Sequence, residues 1–111
     1  MQIQVHYQGL TNTPWMDEFI SGRVEKLNRY LHAAATIQVH LKMENQKYIS
    51  TLSIFNRGNN YAFTGQGENL YESFQNAIMK ASRVLGEEKR KLKNAIHRRN
   101  LERRYALRDA A

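Results

Sequence analysis

The spacing of apolar residues along this chain switches between two and three-to-four, and the order of the switches leaves few folds open. Residues 2–8 alternate strictly, with Ile3, Val5 and Tyr7 on one side and Gln2, Gln4, His6 and Gln8 on the other. That period predicts a strand with one buried face, ended by Gly9. Thr13 and Pro14 then read as the N-cap and first residue of a helix, where the N–H that proline lacks would have had no partner. Asp17 and Glu18 complement the dipole of its first turn. Met16, Phe19, Ile20, Val24, Leu27 and Leu31 recur at steps of three and four, one stripe of a helix ending near His32 and weakened a little by Gly22.

Three further strands follow. Residues 36–44 set Ile37, Val39, Leu41 and Met43 against Gln38, His40, Lys42 and Glu44. Residues 47–56 carry Tyr48, Leu52 and Ile54, with Ile49 and Phe55 on the opposite face, and residues 61–65 form a short closing strand with Tyr61 and Phe63. The break Asn56-Arg57-Gly58-Asn59-Asn60 predicts a hairpin turn, and Gly65-Gln66-Gly67 a loop into the last helix.

In that helix Leu70, Phe74, Ala77, Ile78, Ala81, Leu85, Leu92, Ala95 and Ile96 fall within an arc of roughly 100°. Beyond Ile96 the stripe loses phase, so the helix is expected to continue without packing on the core. Trp15 and Tyr30 read as helix packing residues. The order β-α-β-β-β-α predicts an α+β, two-layer sandwich: a four-stranded sheet with two helices packed on one face, the first two strands parallel and the rest antiparallel. The 111 residues suffice for one core. The reading gives a domain over residues 1–96 and an Arg-rich, helical extension over residues 97–111.

Charge is uneven. The chain holds 17 Lys+Arg against 10 Asp+Glu, a formal +7. Residues 1–86 contribute eight basic and six acidic side chains, and residues 87–111 nine basic and four acidic, so the last quarter carries +5 of the excess. A polyanionic partner is indicated. On the last helix Lys80, Arg83, Arg90, Lys91 and Arg98 share an arc of about 100° away from the apolar stripe, while Lys89 and Lys93 flank the stripe's other edge. The first helix adds Arg23, Lys26 and Arg29 at three-residue steps. With the helices side by side, these sets merge into one basic surface suited to RNA phosphates. Glu87 interrupts it.

Other classes fall away. With 41% hydrophobic residues the chain is too apolar for wholesale disorder, and no apolar run approaches the ~20 residues that cross a bilayer. The N-terminus lacks the charged n-region and apolar stretch of a signal peptide, and zero cysteines exclude disulfides, thiolate zinc sites and thiol catalysis. His6, His32, His40 and His97 have no metal-ligand spacing, and no phosphate-binding loop or nucleophile elbow is present. Glu68 and Glu72 at the start of the last helix repel phosphate and read as caps. A binding protein is expected, with no enzymatic activity and no cofactor.

The segment MQIQVHYQGLTNTPWMDEFISGRVEKLNRYL, the strand IQVHLKMEN, the hairpin YISTLSIFNRGNNYAFTGQG and the helix GENLYESFQNAIMKASRVLGEEKRKLKN occur in an order and spacing that matter together. They resemble the ribosome hibernation-promoting factor and ribosome-associated inhibitor family, also called the sigma-factor modulation protein family, in its short form. The helix resembles that family's G-x-D-x-Y-x-x-I-D-x-x-x-x-K-L-x-R-Q-L-x-K-x-K-x-K signature, with Phe74-Gln75 in place of Ile-Asp and Glu87-Glu88 within the basic run. The resemblance implies a cytoplasmic monomer, with neither membrane nor small-molecule partner, that binds the small ribosomal subunit in resting or stressed cells. There it blocks the messenger and transfer RNA sites. Carried over by position, it assigns ribosomal RNA binding to Arg23, Lys26, Lys80, Arg83, Lys89, Lys91 and Lys93, to which the charge pattern adds Arg90. The alternative is a protein-interaction modulator, for example of a transcription factor, acting through the sheet face or the C-terminal tail.

Overall fold

A computed structural model describes residues 2–11 and 13–110, with side chains described through Asn100. Strand β1 (Gln2–Gln8) leads into helix α1 (Pro14–Glu25), followed by a 3₁₀ segment (Lys26–Tyr30), strands β2 (Thr36–Glu44), β3 (Lys47–Asn56) and β4 (Asn59–Gly67), and helix α2 (Leu70–Ala110). The sheet order is β1-β2-β3-β4, with β1 parallel to β2 and the other pairs antiparallel. This is the expected α+β arrangement.

The alternation seen in the sequence sets the register. Ile3 lies beside Ile37, Val5 beside Val39 and Tyr7 beside Leu41, so a single apolar face runs across the β1–β2 pair. Met16, Ile20, Val24 and Leu27 close over it from α1 and the 3₁₀ segment, and Phe74, Ala77, Ile78, Ala81 and Leu85 close over it from α2. At ~25 cal/mol per Å² of apolar surface, this burial is the main favourable contribution to folding. The opposite sheet face stays open. On it His6 and His40, adjacent in register, stack with ring centroids 4.9 Å apart.

The hairpins are tighter than the sequence indicated. Arg57 and Gly58 alone make the β3–β4 turn, both at positive φ (53° and 80°), with Asn56 paired to Asn59. Asn45 and Gln46 make the β2–β3 turn at φ 52° and 64°. Two successive left-handed residues match the twist of the flanking strands.

Four expectations need correction. The closing strand is Asn59–Gly67, not residues 61–65, and Gly65-Gln66-Gly67 lies inside it and not in a loop. Gly65 pairs with Ser50 and Gly67 with Tyr48, and the backbone of α2 sits directly above both glycines. A Cβ on Gly65 would stand 2.1 Å from the Ser73 carbonyl oxygen and 2.5 Å from the Ala77 nitrogen. The glycines therefore let helix and strand touch. Second, α1 stops at Glu25 and tightens into the 3₁₀ segment, whose three-residue turn keeps Leu27 buried and Tyr30 half-buried on the core side. Thr13 holds the N-cap position through its carbonyl, which accepts the Met16 and Asp17 N–H groups at 3.1 and 3.2 Å, while its side chain makes no cap bond. Third, Trp15 is 59% exposed, lying flat against Tyr71 instead of packing inward. Fourth, Leu92 and Ile96 are 49% and 50% exposed: the buried stripe of α2 ends at Leu85, because the sheet ends beneath it.

Polar ties fix the two helices to the sheet. The Ser73 hydroxyl donates to the Leu70 carbonyl (2.9 Å), so in the buried Ser50–Ser73 bond (2.7 Å) Ser50 is the donor. Asn69 caps α2 by accepting the Glu72 N–H (2.8 Å), and the Glu72 carboxylate accepts the Glu68 N–H. The Tyr7 hydroxyl donates to Asp17 (2.7 Å). Burial, and then this bond, push its ionisation well above the ordinary tyrosine range. Buried Asn56 accepts the His32 N–H (2.8 Å), anchoring the chain just after the 3₁₀ segment to the end of β3.

The overhang of α2 dominates the shape. The radius of gyration is 18.7 Å, with principal extents of 68 × 23 × 20 Å. A compact chain of this length would have a radius near 13 Å.

Candidate nucleic-acid interface

The eight cations singled out by sequence do not act as one flat patch. Four are brought together. Arg83, Lys89, Arg90 and Lys93 line a shallow depression between α2 and the 3₁₀ segment, with Tyr30 and Gly86 beneath them. The closeness of the two elements makes this possible. Tyr30 lies 3.6 Å from where a Gly86 side chain would begin, and the Lys89 ammonium donates to the Arg29 carbonyl near the end of the 3₁₀ segment. No carboxylate lines the depression, so its cations repel one another and a polyanion relieves that repulsion. Guanidinium groups at Arg83 and Arg90 offer bidentate hydrogen bonds of the kind phosphate oxygens accept.

Lys80 stands apart at the sheet edge. Its ammonium donates to the Thr64 carbonyl (2.6 Å), and nearby Asn76 donates to the Gln66 carbonyl (2.8 Å). Both acceptors lie on β4, an edge strand whose outward carbonyls have no neighbouring strand, so these side chains protect that edge. Lys91 is exposed on the flank of α2 away from the depression. Arg23 is half-buried with its guanidinium 5.1 Å from the Phe19 ring centre, and Lys26 is exposed at the start of the 3₁₀ segment.

Two residues enter the site that sequence reasoning left elsewhere. Tyr30, read as packing, floors the depression, and the Arg29 guanidinium stands 5.0 Å from its ring centre. Arg57, read only as a turn residue, lies with Arg29, Glu88, Lys89 and Lys93 around a groove between Tyr61 of the sheet and Leu92 and Ile96 of the overhanging α2. The Tyr61 hydroxyl donates to Glu88, a bond that raises the tyrosine's ionisation and turns that carboxylate toward the sheet. Arg57 is visible only once the topology brings the β3–β4 turn under the helix.

Among the described residues no group of three or more His, Asp or Glu is placed to hold a metal ion, and no helix is long and apolar enough to cross a membrane.

Comparison with known proteins gives a consistent picture. A family model described as Sigma 54 modulation protein / S30EA ribosomal protein matches residues 3–93. A ribosome hibernation promoting factor of Salmonella typhimurium is 27% identical over 93 residues, covering 84% of this chain and 98% of the relative. Among solved structures, the N-terminal domain of Thermus thermophilus Protein Y superposes with a TM-score of 0.70 at 16% identity, covering 77% of this chain and 96% of that one. A ribosomal subunit interface protein from Coxiella burnetii superposes with the same TM-score, 0.70, and 16% identity, covering 80% and 98%.

Proposed function

The chain belongs to the Sigma 54 modulation protein / S30EA ribosomal protein family, and from that premise we propose that it is a cytoplasmic ribosome-hibernation factor that binds the small ribosomal subunit. The observation carrying this reading is the acid-free depression in which Arg83, Lys89, Arg90 and Lys93 converge within the family-matched part of the chain. These side chains, helped by Arg23, Lys26, Lys80 and Lys91 on the surrounding helix surfaces, grip ribosomal RNA phosphates. Bound there, the domain acts by bulk: its rigid sheet and helices exclude messenger and transfer RNA from their sites. No bond is made or broken, so the activity needs positioning and charge alone.

The test is binding to purified small subunits across a salt series. Affinity falls linearly in log[salt], with a slope of about −0.7 to −0.9 for each phosphate neutralised. Replacing Arg83 and Arg90 by Gln removes about two such contacts and leaves the fold intact, since both side chains are exposed. Unchanged affinity and slope in that double variant would show that the depression is not the binding surface.

A further inference from the structure

The sheet has two edges, and only one of them is closed. On β4 the Lys80 ammonium and the Asn76 amide occupy the outward carbonyls of Thr64 and Gln66. Nothing comparable guards β1. The Gln2 N–H donates to the Ala35 carbonyl, so Gln2, Gln4, His6 and Gln8 turn their backbone groups toward β2, and Ile3, Val5 and Tyr7 turn theirs outward. Among the described residues no other element bonds those outward groups. Strand β1 holds no Lys, Arg, Asp, Glu or Pro, and its pairing with β2 runs from Gln2 to Gln8 without a bulge. These are the devices that ordinarily keep an open edge from recruiting another strand.

The cover over the core also stops short at this edge. Ile37, Val39 and Leu41 of β2 are fully buried, whereas Ile3, Val5 and Tyr7 beside them are only half-buried. The side chains that want more cover are therefore the ones whose backbone groups lack partners.

The alternation of polar and apolar residues in β1 reads the same in both directions from Val5. An antiparallel second copy centred there sets Val5 beside its own counterpart, Ile3 beside Tyr7, Gln4 beside His6 and Gln2 beside Gln8. The pairs made by Ile3, Val5 and Tyr7 each exchange two hydrogen bonds, and they bring apolar side chains together on the helix side of the sheet. Amides and imidazoles meet on the open side. We propose that β1 is a self-association surface, on which a second copy of this chain docks strand to strand about a two-fold axis through Val5 and joins the two sheets into one. Charge favours this place over others. Each copy carries +7, and β1 brings none of that excess to the contact, while α2 packs over β3 and β4 on the far side of the sheet. On α1, Ser21 lies one turn beyond Asp17, the residue bonded to Tyr7, and its short exposed side chain leaves room for the other copy's α1. The basic depression stays open in the pair, so this inference stands apart from the small-subunit reading.

The experiment is sedimentation equilibrium of the full chain from micromolar to millimolar concentration, with amide exchange followed by NMR. The mass is expected to rise from 13.0 kDa toward twice that value. The Ile3, Val5 and Tyr7 amides gain protection as the concentration rises, while those of Gln4 and His6, already in the ladder, do not change. Added salt screens the repulsion between like-charged copies and strengthens pairing, the opposite of its effect on RNA binding. V5P removes an N–H that the single copy leaves unused, so it is expected to fold and to stay unpaired. Q2K/Q8K and Q2E/Q8E each set like charges against one another across the joint and are expected to be unpaired alone; an equimolar mixture of the two restores the pair. A mass of 13.0 kDa at every concentration overturns the proposal. Pairs that survive V5P, or that leave the Ile3, Val5 and Tyr7 amides unprotected, overturn β1 as the joint, and charged variants that fail to pair when mixed overturn the register.

Discussion

The contact between β4 and α2 gives the sharpest test of how this fold is held. Substituting Gly65 by Ala adds a single methyl group, yet it places carbon 2.1 Å from the Ser73 carbonyl oxygen and 2.5 Å from the Ala77 nitrogen. Both are helix backbone, so no side chain can swing aside. Reaching ordinary van der Waals separation near 3.5 Å requires α2 to retreat by roughly 1.4 Å at this point. Phe74 and Ala77 are fully buried under the same turns and would lose close packing, and the Ser50–Ser73 hydrogen bond would stretch from 2.7 Å. Overpacking of this kind costs about 1–3 kcal/mol, and a buried hydrogen bond adds about 1 kcal/mol. The expected loss is about 3 kcal/mol, measured as a lower urea midpoint and a Tm depressed by roughly 12 °C. A G65A protein within 1 kcal/mol of the parent would refute the account of why glycine occupies this strand.

Gly22 provides the opposite case: it lies in the interior of α1 with nothing within 4 Å of an added Cβ, so G22A is expected to stabilise by about 0.5–1 kcal/mol in the same unfolding assay. A tyrosine phenol in an unfolded chain ionises at pH ~10, and that of Tyr7 well above this when folded. The unfolded state therefore loses its proton first, so stability holds below pH ~10 and declines as pH rises beyond it. Tyr7→Phe is expected to flatten that alkaline decline and to lower stability at neutral pH by about 1 kcal/mol through loss of the Asp17 bond, read by denaturant titration at several pH values. Lys80→Glu sets a carboxylate against the Thr64 carbonyl, so it should destabilise the β4 edge as well as weaken RNA binding; Lys80→Gln separates the effects, with thermal melting intact and only affinity reduced.

Much of this was legible in the chain because each element announces itself locally. The alternation of residues 2–8 and 36–44 dictates which side chains enter the core, and the stripe from Leu70 to Leu85 dictates how α2 sits. What was not legible depends on where one element stops relative to another. Gly-Gln-Gly reads as a loop because glycine is permissive. Here it is a pair of strand positions emptied so that a helix can approach. Leu92 and Ile96 keep the helical phase of the buried stripe, but nothing in the helix says that the sheet beneath it is too short to cover them. The site divides in the same way. Helical phase identified the cations of α2, whereas the capture of Lys80 by Thr64 and of Lys89 by Arg29, and the arrival of Arg57 and Tyr30, required the folded chain.

The proposed function requires the protein to occupy, on the small subunit, the space of messenger and transfer RNA. The direct measurement is retention of labelled messenger and transfer RNA on purified small subunits as the protein is titrated in. Both are expected to be displaced together, at concentrations following the protein's own affinity and shifted upward by the Arg83→Gln, Arg90→Gln pair. Subunits that carry this protein, messenger and transfer RNA at the same time, at full occupancy of each, would contradict it.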